Sequence, residues 1–546
     1  MDKKRGRIFL ILVFVIALAL AGRLFYIQIL GFDELSAAAA VQQQVTIIGL
    51  DRRGTIYDRN MTPLTGGSTE YVYLTHKSHI DSEFYEIMDG LGARGRGSAS
   101  SEYAVYASDT YDKDTADLLA EKYLTYIIEA SKRYDEAQTA AHVIGYVNTY
   151  DNKGISGIEY ELNDILSAPR GRIYAVADRD GAFLPGMPLR EENADGESGA
   201  SGNIVLTLDS KIQEIAENAL SESDKNGAVV ILDAKTGEIL AIASTPVYNP
   251  NSVKDYIESG DNELVNKCTQ GEYPPGSIFK IVVTAAALEN ETRDKDGRLV
   301  DKNTMFHCTG KEKLSGIEIG CSTGGKDGHG DISLEQAFAY SCNCAFIQLG
   351  KLTGSENIID MAEKLGLGEA PISDLPSVRR GNVTTLENAV GDGIGNLSIG
   401  QGEMLVTPLQ VARLTNIIAR RGNDAELSLI KNADEIMTSA GGSFAQRRVD
   451  ANVISKETAE EITRMMRQTV IYGTARGTGS NFEAAGKTGS AETGTYEGAP
   501  VHGWFTGFFP ASDPKYTITV FVENGRSGRA SAVPIFEKIA AEIESL

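Results

Sequence analysis

Three serine–lysine pairs, Ser277/Lys280, Ser428/Lys431 and Ser512/Lys515, have the i, i+3 spacing that sets a hydroxyl and an amine on one face of a helix. A lysine that loses its proton there can serve as the base for a serine nucleophile, which is the chemistry of acyl transfer. Chance alone gives on the order of two such pairs in a chain of this size. Pro514 breaks the helix that would align the third pair. Two further short patterns narrow the choice: Ser-x-Asn at Ser201, Ser341 and Ser355, and Lys-Thr-Gly at Lys235 and Lys487. Requiring Ser-x-x-Lys, then Ser-x-Asn, then Lys-Thr-Gly along the chain removes Ser428, which no Ser-x-Asn follows. It also removes Lys235, in the hairpin turn DAKTGEIL ahead of every eligible serine. Ser355 follows Leu352-Thr353-Gly354 and reads as a helix N-cap, whereas Ser341 is polar within apolar, helix-compatible sequence. Ser277, Lys280, Ser341, Asn343, Lys487, Thr488 and Gly489 remain, with Ser490 beside them.

Each type suits a role. Pro274, Pro275 and Gly276 fix a helix start, which leaves free N–H groups and the positive dipole end near Ser277. Burial, with Lys487 nearby, lowers the Lys280 pKa and lets it take the Ser277 proton. Ser341 can relay that proton to a leaving amine, and the Asn343 amide can orient Lys280 or a substrate carbonyl. Lys487 offers charge to a carboxylate, Thr488 and Ser490 offer hydroxyls, and Gly489 lets a ligand approach the strand. The N–H groups of Ser277 and Ser490 would form an oxyanion hole.

The elements that must position these residues are legible in outline. NIVLTLDSKIQEIAENALSES reads as a strand and a helix, and GAVVILDAKTGEILAIAS as a hairpin. Helical segments follow, among them LEQAFAYSCNCAFIQLGKL and TPLQVARLTNIIARR. The chain then returns to strands at AAGKTGSAETG, HGWFTGFFP and KYTITVFVEN and closes on the helix VPIFEKIAAEIESL. Strands at both ends with helices between predict an α+β domain, a central antiparallel sheet covered by helices. His502, Trp504 and Gln401 read as structural. Before this domain, residues 31–190 mix β-rich stretches (VQQQVTIIGL, YVYLTH) with an amphipathic helix expected over TADLLAEKYLTYIIEASKRY. ENADGESGASGN, residues 192–203, reads as the linker.

With 546 residues and a net charge of −23, the chain is large enough for two or three domains and lacks the basic stripe of a nucleic-acid binder. MDKKRGR precedes an apolar run long enough to span a membrane. That run continues past Ala17-Leu18-Ala19 and Ala19-Leu20-Ala21, so an uncleaved anchor is expected rather than a signal peptide. Lys3, Lys4, Arg5 and Arg7 hold the N-terminus in the cytoplasm, which leaves the chemistry extracytoplasmic. The expected division is a cytoplasmic tail (1–7), a transmembrane anchor (8–30), a non-catalytic pedestal (31–200) and a catalytic domain (201–546).

These motifs, with RRGTIYDRNMTPL, AAHVIGYV, GISGIEYELND, IGQGEMLVTPLQVA and HGWFTGFFP, resemble those of class B, monofunctional penicillin-binding proteins. Met61 stands where that family usually has glycine, and Ser490 where threonine is commoner. The resemblance implies a penicilloyl-serine transferase fold on a dimerisation-like pedestal. It implies a peptidoglycan D,D-transpeptidase that cross-links stem peptides ending in D-Ala-D-Ala through acyl-Ser277 and is inhibited by β-lactams, in cell-wall synthesis and cell shape. It also implies a polytopic membrane glycosyltransferase as partner. A D,D-carboxypeptidase using the same acyl-enzyme and a membrane-anchored β-lactam receptor are the alternatives. Cys308, Cys321, His329, Cys342 and Cys344 flank the Ser-x-Asn motif. Free thiols rank first, ahead of a Cys308–Cys321 disulfide and of a zinc site of Cys308, Cys321, His329 and Cys342 or Cys344. The spacing matches no compact finger and contains no Cys-x-x-Cys, so neither a metal nor a cofactor is expected.

Overall fold

The computed structural model describes residues 3–30, 44–46, 53–96, 102–148, 152–167, 172–176, 190–192, 202–322, 327–431, 451–479, 481–492 and 500–546. Most of the linker stretch 192–203 lies outside the described residues. Helix α1 (Lys3–Phe25) is followed by a π-helical turn to Leu30. Its stretch Gly6–Gln28 has a mean hydropathy of 2.8 with none of its apolar window buried against the protein. Among the described residues it is the one helix long and apolar enough to cross a membrane.

Strands β1 (Ser68–His76), β2 (Arg94–Arg96), β3 (Tyr103–Ser108) and β4 (Tyr126–Lys132) form an antiparallel sheet ordered β2-β3-β1-β4. Helices α2 (Ser82–Gly90) and α3 (Lys113–Tyr123) pack Phe84, Met88, Leu119 and Tyr123 against Tyr73 of this sheet. The helix expected over TADLLAEKYLTYIIEASKRY is therefore a helix followed by a strand. It stops where Leu124 turns left-handed (φ 51°) and the Thr125 N–H bonds the Leu119 carbonyl at 3.1 Å. YIIEASK then pairs along β1 from Leu74↔Tyr126 to Ser68↔Lys132. Neither glycine nor proline marks the change, and cross-strand pairing outweighs the helical period that runs through it.

The second half is built on β5 (Gly227–Asp233) and β6 (Ile239–Thr245), the expected hairpin. Short strands β7 (Met305–Cys308), β8 (Lys311–Lys313), β9 (Glu318–Gly320) and β10 (Gly330–Ser333) follow, with β7 paired to β10 and β8 to β9. Strands β11 (Ala485–Glu492), β12 (Val501–Phe509) and β13 (Tyr516–Gly525) return to the main sheet. That sheet is antiparallel, ordered β6-β5-β13-β12-β11, so β11, the Lys-Thr-Gly strand, forms an edge. Both faces are covered, which is why GAVVILD reads as an unbroken apolar run. Val229 and Ile231 face α4 (Ser210–Glu222) and the C-terminal helix Val533–Glu544, while Ala228, Val230 and Leu232 face the larger core.

That larger core contains α5 (Lys280–Glu289), α6 (Leu334–Ala339), α7 (Asn343–Thr353), α8 (Pro408–Ala419) and α9 (Lys456–Ile471). Thr407 and Gln410 form a capping box that starts α8. Ile56, Leu64, Val143, Ile144, Ile158 and Leu162 lie in the same core, and Ile56–Tyr57 pairs in parallel with Ile204–Val205. Buried Arg53 binds the Glu159 carboxylate and also its carbonyl at 2.7 Å, while Tyr134 donates to Glu159 at 2.9 Å. The segments carrying RRGTIYDR and GISGIEYE are thus welded to the sheet domain by apolar packing around one charged node.

Candidate active site

Ser277 and Lys280 lie where a 3₁₀ turn (Gly276–Phe279) passes into α5. Residues three apart share one face of such a turn, so Lys280 follows Ser277 on the same side of the helix start. Gly276 makes the approach possible. Its φ is +52°, and a Cβ there would lie 2.6 Å from the Ser490 carbonyl oxygen of β11. Gly489 answers from the strand, where a Cβ would meet Ile278 and the Pro275 carbonyl at 2.9 and 3.0 Å. Tyr273 exchanges two 2.9 Å backbone hydrogen bonds with Val406, and the Trp504 indole donates to the Pro274 carbonyl at 3.1 Å. Trp504 is the core residue expected, and it also pins the turn that presents Ser277.

Lys280 is fully buried. Its Nζ donates to the Ser341 carbonyl (2.8 Å), the Ser341 Oγ (3.2 Å) and the Asn343 Oδ1 (2.8 Å), and sits 5.3 Å from the centre of the Phe346 ring. Asn343 therefore orients Lys280, and its own Nδ2 is held by the Gly320 carbonyl at 2.9 Å. Burial lowers the Lys280 pKa to about 8, against the opposing pull of the Cys342, Cys321 and Cys344 thiols. Lys487, also fully buried, donates to Ser341 Oγ and to the Thr488 carbonyl, each at 3.1 Å. Burial, and then the neighbouring charge of Lys280, hold its pKa well below the ordinary lysine value. The expectation that Lys487 presents a charge to a substrate carboxylate does not match this geometry, in which its amine faces Ser341 inside the core.

With both lysines donating to it, the Ser341 oxygen has its two lone pairs engaged and its own proton free to point elsewhere. Among the described residues the Ser277 hydroxyl, partly exposed, has no hydrogen-bond partner. Thr488 and Ser490 share one face of β11. The Thr488 hydroxyl meets Thr474 at 2.6 Å, and Ser490 Oγ accepts from the Gly528 N–H at 3.2 Å. Neither Thr474 nor Gly528 carries a motif that sequence alone could pick out. The rejected matches lie elsewhere: Lys431 caps the Arg59 carbonyl, Ser512 bonds Glu483 at the surface, and Lys235 pairs with Asp513.

The helix expected through LEQAFAYSCNCAFIQLGKL breaks in two at Ser341, whose φ is +58°. The Cys342 N–H bonds Ala337 O (2.8 Å) and the Ser341 N–H bonds Phe338 O (3.2 Å), the paired bonds of a Schellman stop with serine where glycine is usual. Cys342 then caps α7, its thiol accepting from the Ala345 N–H. A serine held left-handed costs about 1 kcal/mol, so this position keeps a hydroxyl against a backbone preference. Ser341→Gly and Ser341→Ala are each expected to slow acylation by about 10²-fold or more, since both lose the hydroxyl. Thermal melts should rank glycine above alanine by about 1 kcal/mol, the reverse of the usual order.

Three motifs gathered beside the edge of a helix-covered antiparallel sheet put the molecule in the penicillin-binding-protein fold class. Residues 227–541 match the penicillin binding protein transpeptidase domain, and the chain belongs to the class B penicillin-binding proteins. It is 28% identical to the peptidoglycan D,D-transpeptidase MrdA of Acinetobacter baumannii, over 98% of this chain and 87% of that protein. It is 31% identical to the peptidoglycan D,D-transpeptidase PbpA of Mycolicibacterium smegmatis, over 74% of this chain and 82% of that one. The penicillin-binding protein PBP2 in its complex with MreC from Helicobacter pylori has the same fold, with a TM-score of 0.70 at 23% identity over 92% of this chain and 98% of that one.

Proposed function

We propose that this protein is a serine-type peptidoglycan D,D-transpeptidase, and the observation that carries the reading is the meeting of the buried Lys280 and Lys487 amines on Ser341, with Lys280 three residues after Ser277 at the start of the same helix. Neutral Lys280 takes the Ser277 proton as Oγ attacks the carbonyl between the two terminal D-alanines of a stem peptide. Negative charge on that carbonyl oxygen is met by the N–H groups of Ser277 and Ser490, a role supported by the close approach of Gly276 to the Ser490 carbonyl. Ser341 passes its proton to the departing D-alanine amine and regains one from Lys280, and an ester to Ser277 is left. An amine of a neighbouring stem peptide then attacks the ester, forms the cross-linking amide and restores the Ser277 hydroxyl. A β-lactam enters by the same attack, but its leaving amine stays tethered, so the ester persists.

The buried, low-pKa lysine pair supports this assignment of roles, with Thr488, Gly489 and Ser490 lining the substrate strand. Residues 8–30 anchor the chain, 31–200 serve as pedestal and 201–546 carry the reaction outside the cytoplasm, with Lys3, Lys4, Arg5 and Arg7 in the first turns of α1 retained inside. A polytopic membrane glycosyltransferase supplies the glycan strands whose peptides are joined. In a test with a thioester analogue of the donor, adding a D-amino acid acceptor is expected to divert acyl groups from water into amide product. Hydrolysis alone, across every acceptor tried, would replace the transferase by a carboxypeptidase.

A further inference from the structure

Four side chains that the acylation steps do not use converge behind the Ser-x-Asn turn. Cys308 ends β7, Cys321 follows the β8–β9 hairpin, His329 precedes β10, and Cys342 is the middle residue of Ser341-Cys342-Asn343. One ligand atom from each lies within 4.8 Å of all the others, the three cysteines being buried and the histidine half-buried. Cys308 Sγ and Cys321 Sγ are 3.6 and 3.5 Å from His329 Nδ1, and Cys321 Sγ is 3.6 Å from Cys342 Sγ. A disulfide would need sulfurs about 2.05 Å apart. A tetrahedral zinc ion with bonds of about 2.3 Å to sulfur and 2.0–2.1 Å to nitrogen needs edges of about 3.8 Å between sulfurs and about 3.6 Å from sulfur to nitrogen. Three of the six separations match those edges, and the other three lie within 4.8 Å, so a small inward shift of the side chains closes the site. The His329 ring is also set in place, stacked on Tyr340 with 9° between the planes.

We infer that Cys308, Cys321, His329 and Cys342 form a structural zinc site. Binding converts three thiols to thiolates and releases their protons to solvent, and the four protein ligands close the coordination sphere against water. Three thiolates and an imidazole favour zinc over harder ions. The ion ties four separate segments together, and one of them is the Schellman turn itself, because Cys342 supplies both the long-range N–H of that turn and a ligand. Asn343, next in the chain, is held by Gly320, the residue before Cys321. Zinc thereby clamps the turn that presents Ser341 and Asn343 to Lys280. Cys344, also buried, belongs to the first turn of α7 and lies outside the ligand set.

The full-length chain, purified in detergent with reductant after growth with added zinc, should contain one zinc per molecule by elemental mass spectrometry. X-ray absorption at the zinc edge should show about three sulfurs near 2.3 Å and one nitrogen near 2.0–2.1 Å. Because this uses the unmutated chain, it remains decisive if variants fail to fold. Cys308→Ser and His329→Ala should lose the metal, whereas Cys344→Ala should keep it. A strong chelator should slow penicillin acylation by about 10²-fold while the far-ultraviolet circular dichroism persists, as expected for a misplaced Ser341 rather than an unfolded domain. Metal-free protein with five titratable thiols, or a Cys308–Cys321 linked peptide, would overturn the site. Zinc lost from Cys344→Ala but kept in His329→Ala would overturn the ligand set.

Discussion

In Ser277→Ala, covalent labelling by benzylpenicillin is expected to disappear, and turnover of a thioester donor to fall by about 10⁴-fold or more. The buried lysines cannot substitute for the lost nucleophile, and Ser341 Oγ is turned inward by two amine donors. Little stability should be lost. The Ser277 hydroxyl is partly exposed and has no hydrogen-bond partner among the described residues, so its removal is expected to shift stability by no more than about 0.5 kcal/mol. Intact-mass spectrometry after incubation with the drug reads the adduct directly. An adduct that survives in Ser277→Ala, or that maps to Ser341, would refute the assignment.

Lys280→Met should lower the acylation rate by about 10²–10⁴-fold and flatten its pH profile. In the native protein the rate is expected to rise with pH and level off above about 8, as Lys280 loses its proton. Stability carries the same signature. The folded-state pKa lies below the unfolded one, so between about 8 and 10.5 the unfolded chain holds a proton that the folded chain has released, and stability climbs with pH through that window. Below it both states are protonated, and the buried charge costs a constant amount of about 3 kcal/mol. Methionine removes that cost but strands the Ser341 carbonyl and Asn343 Oδ1, at about 1–3 kcal/mol for each unpaired group. The two effects nearly offset, so the melting temperature at neutral pH should move by only a few degrees while the climb above pH 8 weakens. A rate profile unchanged in Lys280→Met would assign the base elsewhere.

The candidate set was legible because the proposed chemistry restricts residue type and chain order. Ser277, Lys280, Ser341, Asn343, Lys487, Thr488 and Gly489 emerge from ordered short patterns, and the fold brings their strand, turns and helices to one place. The sheet was legible because five strands alternate or run apolar between clear turns. What escaped had no local signal. The break at Ser341 falls in sequence that favours helix on both sides, and the stop uses serine where glycine would have announced it. Leu124 hides the end of α3 in the same way. The zinc alternative for Cys308, Cys321, His329 and Cys342 or Cys344 ranks last from sequence alone, because the thiols are spread along the chain and only the pairings β7–β10 and β8–β9 bring them together. The inward-facing role of Lys487 depends on how deeply β11 is covered, which one strand's pattern cannot report.

Among the described residues, strand β11 has a neighbour, β12, on one side only. Its other margin therefore has no paired strand beside the turn that carries Ser277, an arrangement that most proteins shield because an extended chain can add to it. On the proposed function, the same vulnerability would become a docking rail. A stem peptide laid along it would be gripped through its amide groups and would complete the sheet as a temporary sixth strand. Recognition of that kind reads the direction and extension of the guest more than its side chains, and leaves discrimination to the few positions whose substituents point into the cleft beside Thr488 and Ser490. Peptides of varied composition could then share one enzyme, provided that each lies straight.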